Sequence, residues 1–289
     1  MSTTTEALID AVTREVLAAL AGKDVCDCSD PDCGGACAAY CADKVRSVVS
    51  TGAGRISYSG NGADVPRDLA RFIDHTLLRP DATANDVDAL CDEARTYEFA
   101  AVCVNPTWVR RCAQRLRGSG VKVASVVGFP FGASTTEMKA LEARRAIRDG
   151  AREIDMVINV GALKSGDHEL VRRDVEKVAD ACREAGAVCK VIIETALLGD
   201  EEKVVASHLA KLAKADFVKT STGYGPGGAT AHDVLLMRET VGPKLGVKAS
   251  GGIRSAEDAR EMIAAGATRI GASASVEIVT GGKPGEERY

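Results

Sequence analysis

Residues 153–160 read EIDMVINV, and the way this stretch alternates decides the fold. Successive side chains of a β-strand point to opposite faces. Ile154, Met156 and Ile158 therefore share one face, suited to packing against helices. Glu153, Asp155, Val157 and Asn159 share the other. Burying such carboxylates is costly unless cations meet them, so Asp155 asks for the lysines of neighbouring strands.

Seven more strand candidates surround it: FIDHTLL (72–78), FAAVCV (99–104), VKVASVVGF (121–129), CKVIIET (189–195), DFVKTS (216–221), VKASGG (247–252) and TRIGAS (268–273). Helical patterns lie between most of them. ANDVDALCDEARTY (84–97), TEMKALEARRAIRDG (136–150) and HELVRRDVEKVADACREAG (168–186) come first. DEEKVVASHLAKLAKA (200–215), TAHDVLLMRETV (230–241) and SAEDAREMIAAG (255–266) follow. Each repeats apolar residues at three- and four-residue spacing, and several stop at glycine. Eight strands alternating with helices predict an α/β fold of the (β/α)8 TIM-barrel type. A doubly wound open sheet is the alternative, weakened because no GxGxxG follows the first strand. We expect the barrel over residues 66–280, an extension and linker over 1–65, and a tail over 281–289.

Strand parity brings further charge inward. Lys190, Ile192 and Glu194 share the inner face of one strand. Phe217, Lys219 and Ser221 share that of the next, followed by Lys248 with Ser250 and Asp74 with Thr76. A barrel interior is normally filled by branched apolar side chains, so this charge is either an inert ion-pair network or chemistry. Two lysines close together favour chemistry. Like charge and desolvation both lower a lysine pKa. The resulting free amine attacks carbonyls to form a Schiff base, and a carboxylate such as Asp155 moves protons beside it. The loops KTSTGYG (219–225), SGGIRSAED (250–258) and GASAS (271–275) add small residues where barrels commonly hold phosphate. Backbone N–H groups of Gly251 and Gly252, with the helix opening near Ser255, are expected to face the anion.

The segments FVKTSTG, EIDMVINVGALKSGD, KVIIET, KASGGIR, VCVNP and VVGFPFG, in the family's order, resemble the deoxyribose-phosphate aldolases over about residues 68–275. That resemblance implies a class I aldolase on a (β/α)8 barrel. Such an enzyme reversibly cleaves 2-deoxy-D-ribose 5-phosphate to D-glyceraldehyde 3-phosphate and acetaldehyde, with no metal and no cofactor. It implies Lys219 as the Schiff-base lysine, Lys248 as the lysine that perturbs it and assists proton transfer, and Asp155 as the proton relay. Asp74, Thr76, Cys103 and Thr222 match positions around the substrate, and Lys190 and Glu194 match supporting ones. Gly223, Gly251, Gly252 and Ser273 match the phosphate site. Ala274 stands where relatives can carry a second serine, which Ser275 would have to replace. A C-terminal tyrosine assists proton transfer in some members, a role Tyr289 could take. Another phosphosugar lyase or transaldolase, or a non-catalytic binding protein, are the competing readings.

The 289 residues carry a net charge of −4, which argues against nucleic acid or an anionic membrane as the main partner. No apolar run approaches the roughly 18 residues that cross a bilayer. The first twenty residues mix acids among apolar positions and read as an amphipathic helix rather than a signal peptide. A cytoplasmic homo-oligomer, dimer or tetramer, acting on small phosphosugars and aldehydes is expected. Of ten cysteines, Cys91, Cys103, Cys112, Cys182 and Cys189 read as small buried hydrophobes. Cys26, Cys28, Cys33, Cys37 and Cys41 do not follow the common zinc spacing. They leave a soft-metal, a redox-active and an idle reading open. His75, His168, His208 and His232 show no metal spacing, and His75 falls on the helix-facing side of its strand.

Overall fold

A computed structural model describes residues 69–281. The expected amphipathic start, the linker, the Cys26–Cys41 cluster and Tyr289 lie outside the described residues. Eight parallel strands close into a barrel in chain order. They are β1 Ile73–Leu77, β2 Ala101–Val104, β3 Lys122–Val127, β4 Glu153–Val157, β5 Val188–Ile192, β6 Phe217–Lys219, β7 Gly246–Ser250 and β8 Arg269–Ala272. The larger helices are α1 Ala84–Thr96, α3 Thr136–Asp149, α5 His168–Glu184, α6 Asp200–Leu212, α7 Ala231–Val241 and α8 Ala256–Ala264. Three shorter ones complete the set: α2 Val109–Arg115, α4 Val160–Lys164 and α9 Ser275–Thr280.

Local chemistry sets the boundaries. Thr83 and Asp86 form a reciprocal capping box at the start of α1, and Ser255 and Asp258 do the same for α8. Gly150 ends α3 with φ +120°, a conformation costly for a side chain with a Cβ. The main apolar core lies between strands and helices and contains Ile154, Met156, Ile158, Val191, Ile193, Val218, Val247 and Ile270. This is the helix-facing set that alternation predicts. A small second cluster, Leu78, Ala101, Cys103, Ala124 and Val126, fills the barrel beside β2 and β3. The interior is thus divided, with an apolar side under β2 and β3 and a charged side opposite.

Register arranges that charged side. Asp155 is paired with Lys190, Lys219 with Lys248, and Lys248 with Arg269 along adjacent strands. Asp74 closes the ring opposite Gly271. A Cβ on Gly271 would lie 3.0 Å from Lys248 Cε, so the missing side chain makes room for that lysine.

Candidate active site

Asp155 is the hub. Its carboxylate is fully buried on β4 and accepts from three lysine Nζ atoms. Lys190 Nζ donates to Oδ1 at 2.7 Å, while Lys219 Nζ and Lys248 Nζ both donate to Oδ2 at 2.8 Å. Lys190 also meets Glu153 at 2.5 Å and Asp74 at 3.3 Å. Lys248 also donates to Asp74 Oδ2. Lys219 has Asp155 as its one carboxylate partner in this network.

These unequal partnerships separate the lysines. Burial lowers the pKa of Lys219 and the neighbouring Lys248 charge lowers it further, against the pull of Asp155. Burial opposes charge on Lys248 too, but Asp155 and Asp74 outweigh it and hold its pKa above the ordinary lysine value. For Lys190, burial is overridden still more strongly by Asp155, Asp74 and Glu153. Burial also disfavours ionised Asp155, and the surrounding lysines reverse that, holding it well below the usual carboxylate range. The site therefore sets a lysine of lowered proton affinity beside a charged lysine and an ionised carboxylate.

Cys103 lies on the apolar side of the barrel, with Sγ 3.9 Å from Asp155 Oδ2. Burial and the Asp155 charge push its thiol up to about 11, so it stays protonated at neutral pH. Thr76 is half-buried and its hydroxyl donates to the Asp74 carbonyl at 2.8 Å. Glu194 follows β5 in a left-handed conformation, φ +57°, which costs energy for a non-glycine residue. Its carboxylate accepts from the Thr222 amide, with contacts of 3.3 and 3.2 Å, and from the Thr222 hydroxyl. That bond ties the loop after β6 to the end of β5.

The small-residue loops meet at the same barrel end. Gly223, Gly251 and Gly252 all have positive φ, at +88°, +86° and +79°. Gly228 packs so closely on the Gly251 carbonyl that a Cβ there would lie 2.3 Å from its oxygen. The Arg254 and Ser255 amides donate to Asp258, each at 3.0 Å, so the helix cap uses them and they do not extend an anion cradle. Ser273 is half-buried and, with Thr76, lines a cavity of about 560 Å³ between the ends of β1 and β8 and helix α1. Lys219 does not line it. Ser275 is buried and its hydroxyl donates to the Ala272 carbonyl at 2.8 Å.

Arg269 and Glu153, two partners in the network, were not among the expected site residues. Arg269 Nη1 donates to Asp74 at 2.7 Å and to Glu153 at 3.0 Å, and its guanidinium lies 5.5 Å from the Phe217 ring centroid. Alternation from Ile270 would have placed Arg269 inside, but its partners lie on strands far away in sequence. His75 behaves as parity predicts, turning to the helices and meeting Glu93 Oε2 at 2.7 Å. Among the described residues, Asp200, His232 and Asp233 form the one cluster with metal-ligand geometry. The Lys203 ammonium already sits there, 3.1 Å from Asp200 and 2.6 Å from Asp233. All five described cysteines are buried and free.

Known proteins resemble this chain in sequence and in fold. Residues 69–282 match the model of the DeoC/LacD family aldolases. A deoxyribose-phosphate aldolase of Listeria monocytogenes is 60% identical over 216 residues, covering 75% of this chain and 96% of the relative. One from Bacillus cereus is 60% identical over 212 residues, covering 73% and 95%. Among solved structures, the tetrameric deoxyribose phosphate aldolase of Aeropyrum pernix superposes with a TM-score of 0.70 at 36% identity, covering 81% of this chain and 96% of that one. With a closed parallel barrel, a buried lysine pair on one carboxylate and a family match over most of its length, the chain belongs to the DeoC/LacD family of aldolases.

Proposed function

We propose that the chain is a deoxyribose-phosphate aldolase that works through a Schiff base on Lys219. The observation that carries this reading is the contrast between the two neighbouring lysines. Lys219 has one carboxylate partner and a lowered pKa, whereas Lys248 has two and keeps its proton. Lys219 Nζ attacks C1 of the open-chain 2-deoxyribose 5-phosphate, and loss of water gives an iminium ion. Removal of the C3 hydroxyl proton breaks the C2–C3 bond and releases D-glyceraldehyde 3-phosphate. The electron pair passes into an enamine on Lys219. Protonation at C2 and hydrolysis then release acetaldehyde and regenerate the amine. Asp155, within hydrogen-bond reach of both lysines, relays the protons, and Lys248 supplies positive charge and a proton beside it.

Asp74, Thr76, Cys103 and Thr222 surround the sugar in this reading, with Lys190 and Glu194 supporting them. The amides of Gly223, Gly251 and Gly252 and the Ser273 hydroxyl receive the phosphate. The chain uses no metal or cofactor in this scheme and acts in deoxynucleoside breakdown in the cytoplasm, where its buried free thiols remain reduced. It assembles as a homo-oligomer, with exposed Phe131, Met138 and Leu141 as apolar contact surface. No helix among the described residues is long and apolar enough to cross a membrane.

The test is trapping. Incubation with acetaldehyde, borohydride reduction and peptide mass spectrometry should give a saturating two-carbon adduct at Lys219. Labelling there no higher than at surface lysines removes the proposed nucleophile. Acetaldehyde should be the preferred donor, and a preference for a ketose donor points to a transaldolase instead.

A further inference from the structure

The buried charges of the barrel do not balance, and the residue that resolves the imbalance is the proposed nucleophile. Contacts join four bases, Lys190, Lys219, Lys248 and Arg269, to three carboxylates, Asp74, Glu153 and Asp155. The side chains of this network are at most 16% exposed. Uncompensated charge in such a place is strongly disfavoured. The network is neutral when one base gives up its proton. Arg269 cannot do so. Lys190 contacts three carboxylates and Lys248 two, leaving Lys219 with one, which it shares. The neutral base is therefore Lys219.

The excess positive charge can be traced to the far end of the network. Arg269 and Glu153 do not contact Lys219. They bind each other at 3.0 Å, and Arg269 pairs with Asp74 while Glu153 pairs with Lys190. Facing Lys219 itself are Asp155 of β4, Lys248 of β7 and the Cys103 thiol of β2, which carries no charge at neutral pH. Glu194, at the end of β5, directs its carboxylate to Thr222 and stands outside the ion-pair network.

We propose that Arg269 and Glu153 are positioning residues that act through the ion-pair network to keep Lys219 the unprotonated amine. This rests on Lys219 as the nucleophile and adds what sets its proton affinity. Removing the Arg269 charge leaves three bases against three carboxylates, so Lys219 keeps its proton. Removing the Glu153 charge leaves four bases against two carboxylates, so Lys219 loses it more readily. Removing both leaves three against two, the same excess of one as in the native protein. The experiment is the pH dependence of the rate of reductive acetaldehyde labelling at Lys219, below saturation, with the folded fraction checked by circular dichroism. The midpoint should move up by about one pH unit or more in Arg269→Gln and down in Glu153→Gln. It should return close to the native value in the double variant and stay there in Arg269→Lys. Even if Arg269→Gln fails to fold, the downward shift in Glu153→Gln and its reversal in the double variant decide the matter. Coincident midpoints, or shifts of one sign in both single variants, overturn the proposal while leaving Lys219 as nucleophile. Absence of any adduct at Lys219 in the native protein overturns both.

Discussion

At the scale of the residue, Lys219 and Lys248 differ in partners rather than in burial, since both are buried. Lys219→Leu removes the amine and should abolish turnover. Lys248→Leu is the more informative change. It removes a like charge and leaves Lys219 as the one lysine on Asp155 Oδ2, with Lys190 still on Oδ1, and both effects raise the proton affinity of Lys219. The amine is then freed only at higher pH. The acid limb of the pH–rate profile should move upward, and kcat should fall by about 10²-fold or more through loss of the assisting proton donor. Steady-state kinetics between pH 6 and 10 check this, and an unshifted acid limb rules out coupling between the lysines. Much of this arrangement was legible in the sequence, because two-residue alternation fixes which side chains enter a barrel. Asp155, Lys190, Lys219 and Lys248 all lie on the predicted face. The partners were not legible. Arg269 is 195 residues from Asp74 and 116 from Glu153, and no local pattern encodes pairings made by barrel closure.

At the scale of the element, a second buried ion pair holds helix to helix behind the site. Lys139 of α3 donates to Asp174 of α5 and to the Val157 carbonyl at the end of β4, the latter at 2.9 Å. Both side chains are almost fully buried. Lys139→Met strands the Asp174 carboxylate and should cost about 3–5 kcal/mol in urea unfolding. Adding Asp174→Leu removes the stranded charge and should recover most of that loss. Equal destabilisation of the single and double variants would show that packing, not pairing, matters here. Sequence reading treated Lys139 only as part of a helical pattern, because a single lysine on a charged helix looks solvated. It also left α2 without a helix. That element has seven residues and buries only Val109 and Cys112, too few apolar positions to reveal a period. The six longer helices were visible because each repeats its apolar stripe over several turns.

At the scale of the whole molecule, falling pH acts on stability first through groups outside the chemistry. His208 on α6 is buried, and neither of its ring nitrogens has a hydrogen-bond partner. Burial, with help from the Lys211 charge, brings its pKa down to about 4. The unfolded chain titrates His208 near 6.5. Between those values the unfolded state binds a proton that the folded state refuses, so stability is complete above about pH 6.5 and declines as pH falls toward 4. The full decline is about 3 kcal/mol. His168 is lowered by burial in the same direction and adds to it. Asp74 and Asp155 are also lowered on folding, but their contribution is lost only below the unfolded aspartate value of about 3.9. The first acid destabilisation therefore belongs to histidine and the second to the barrel carboxylates. Urea unfolding at fixed protein concentration should show the native protein losing stability between pH 7.5 and 4.5. His208→Leu should lose far less over that interval, with the His168 share remaining. Both proteins should weaken together below pH 4, as the unfolded chain takes up protons on Asp74 and Asp155 that the folded barrel refuses. Parallel losses in the two proteins above pH 4.5 would move the first step to another group.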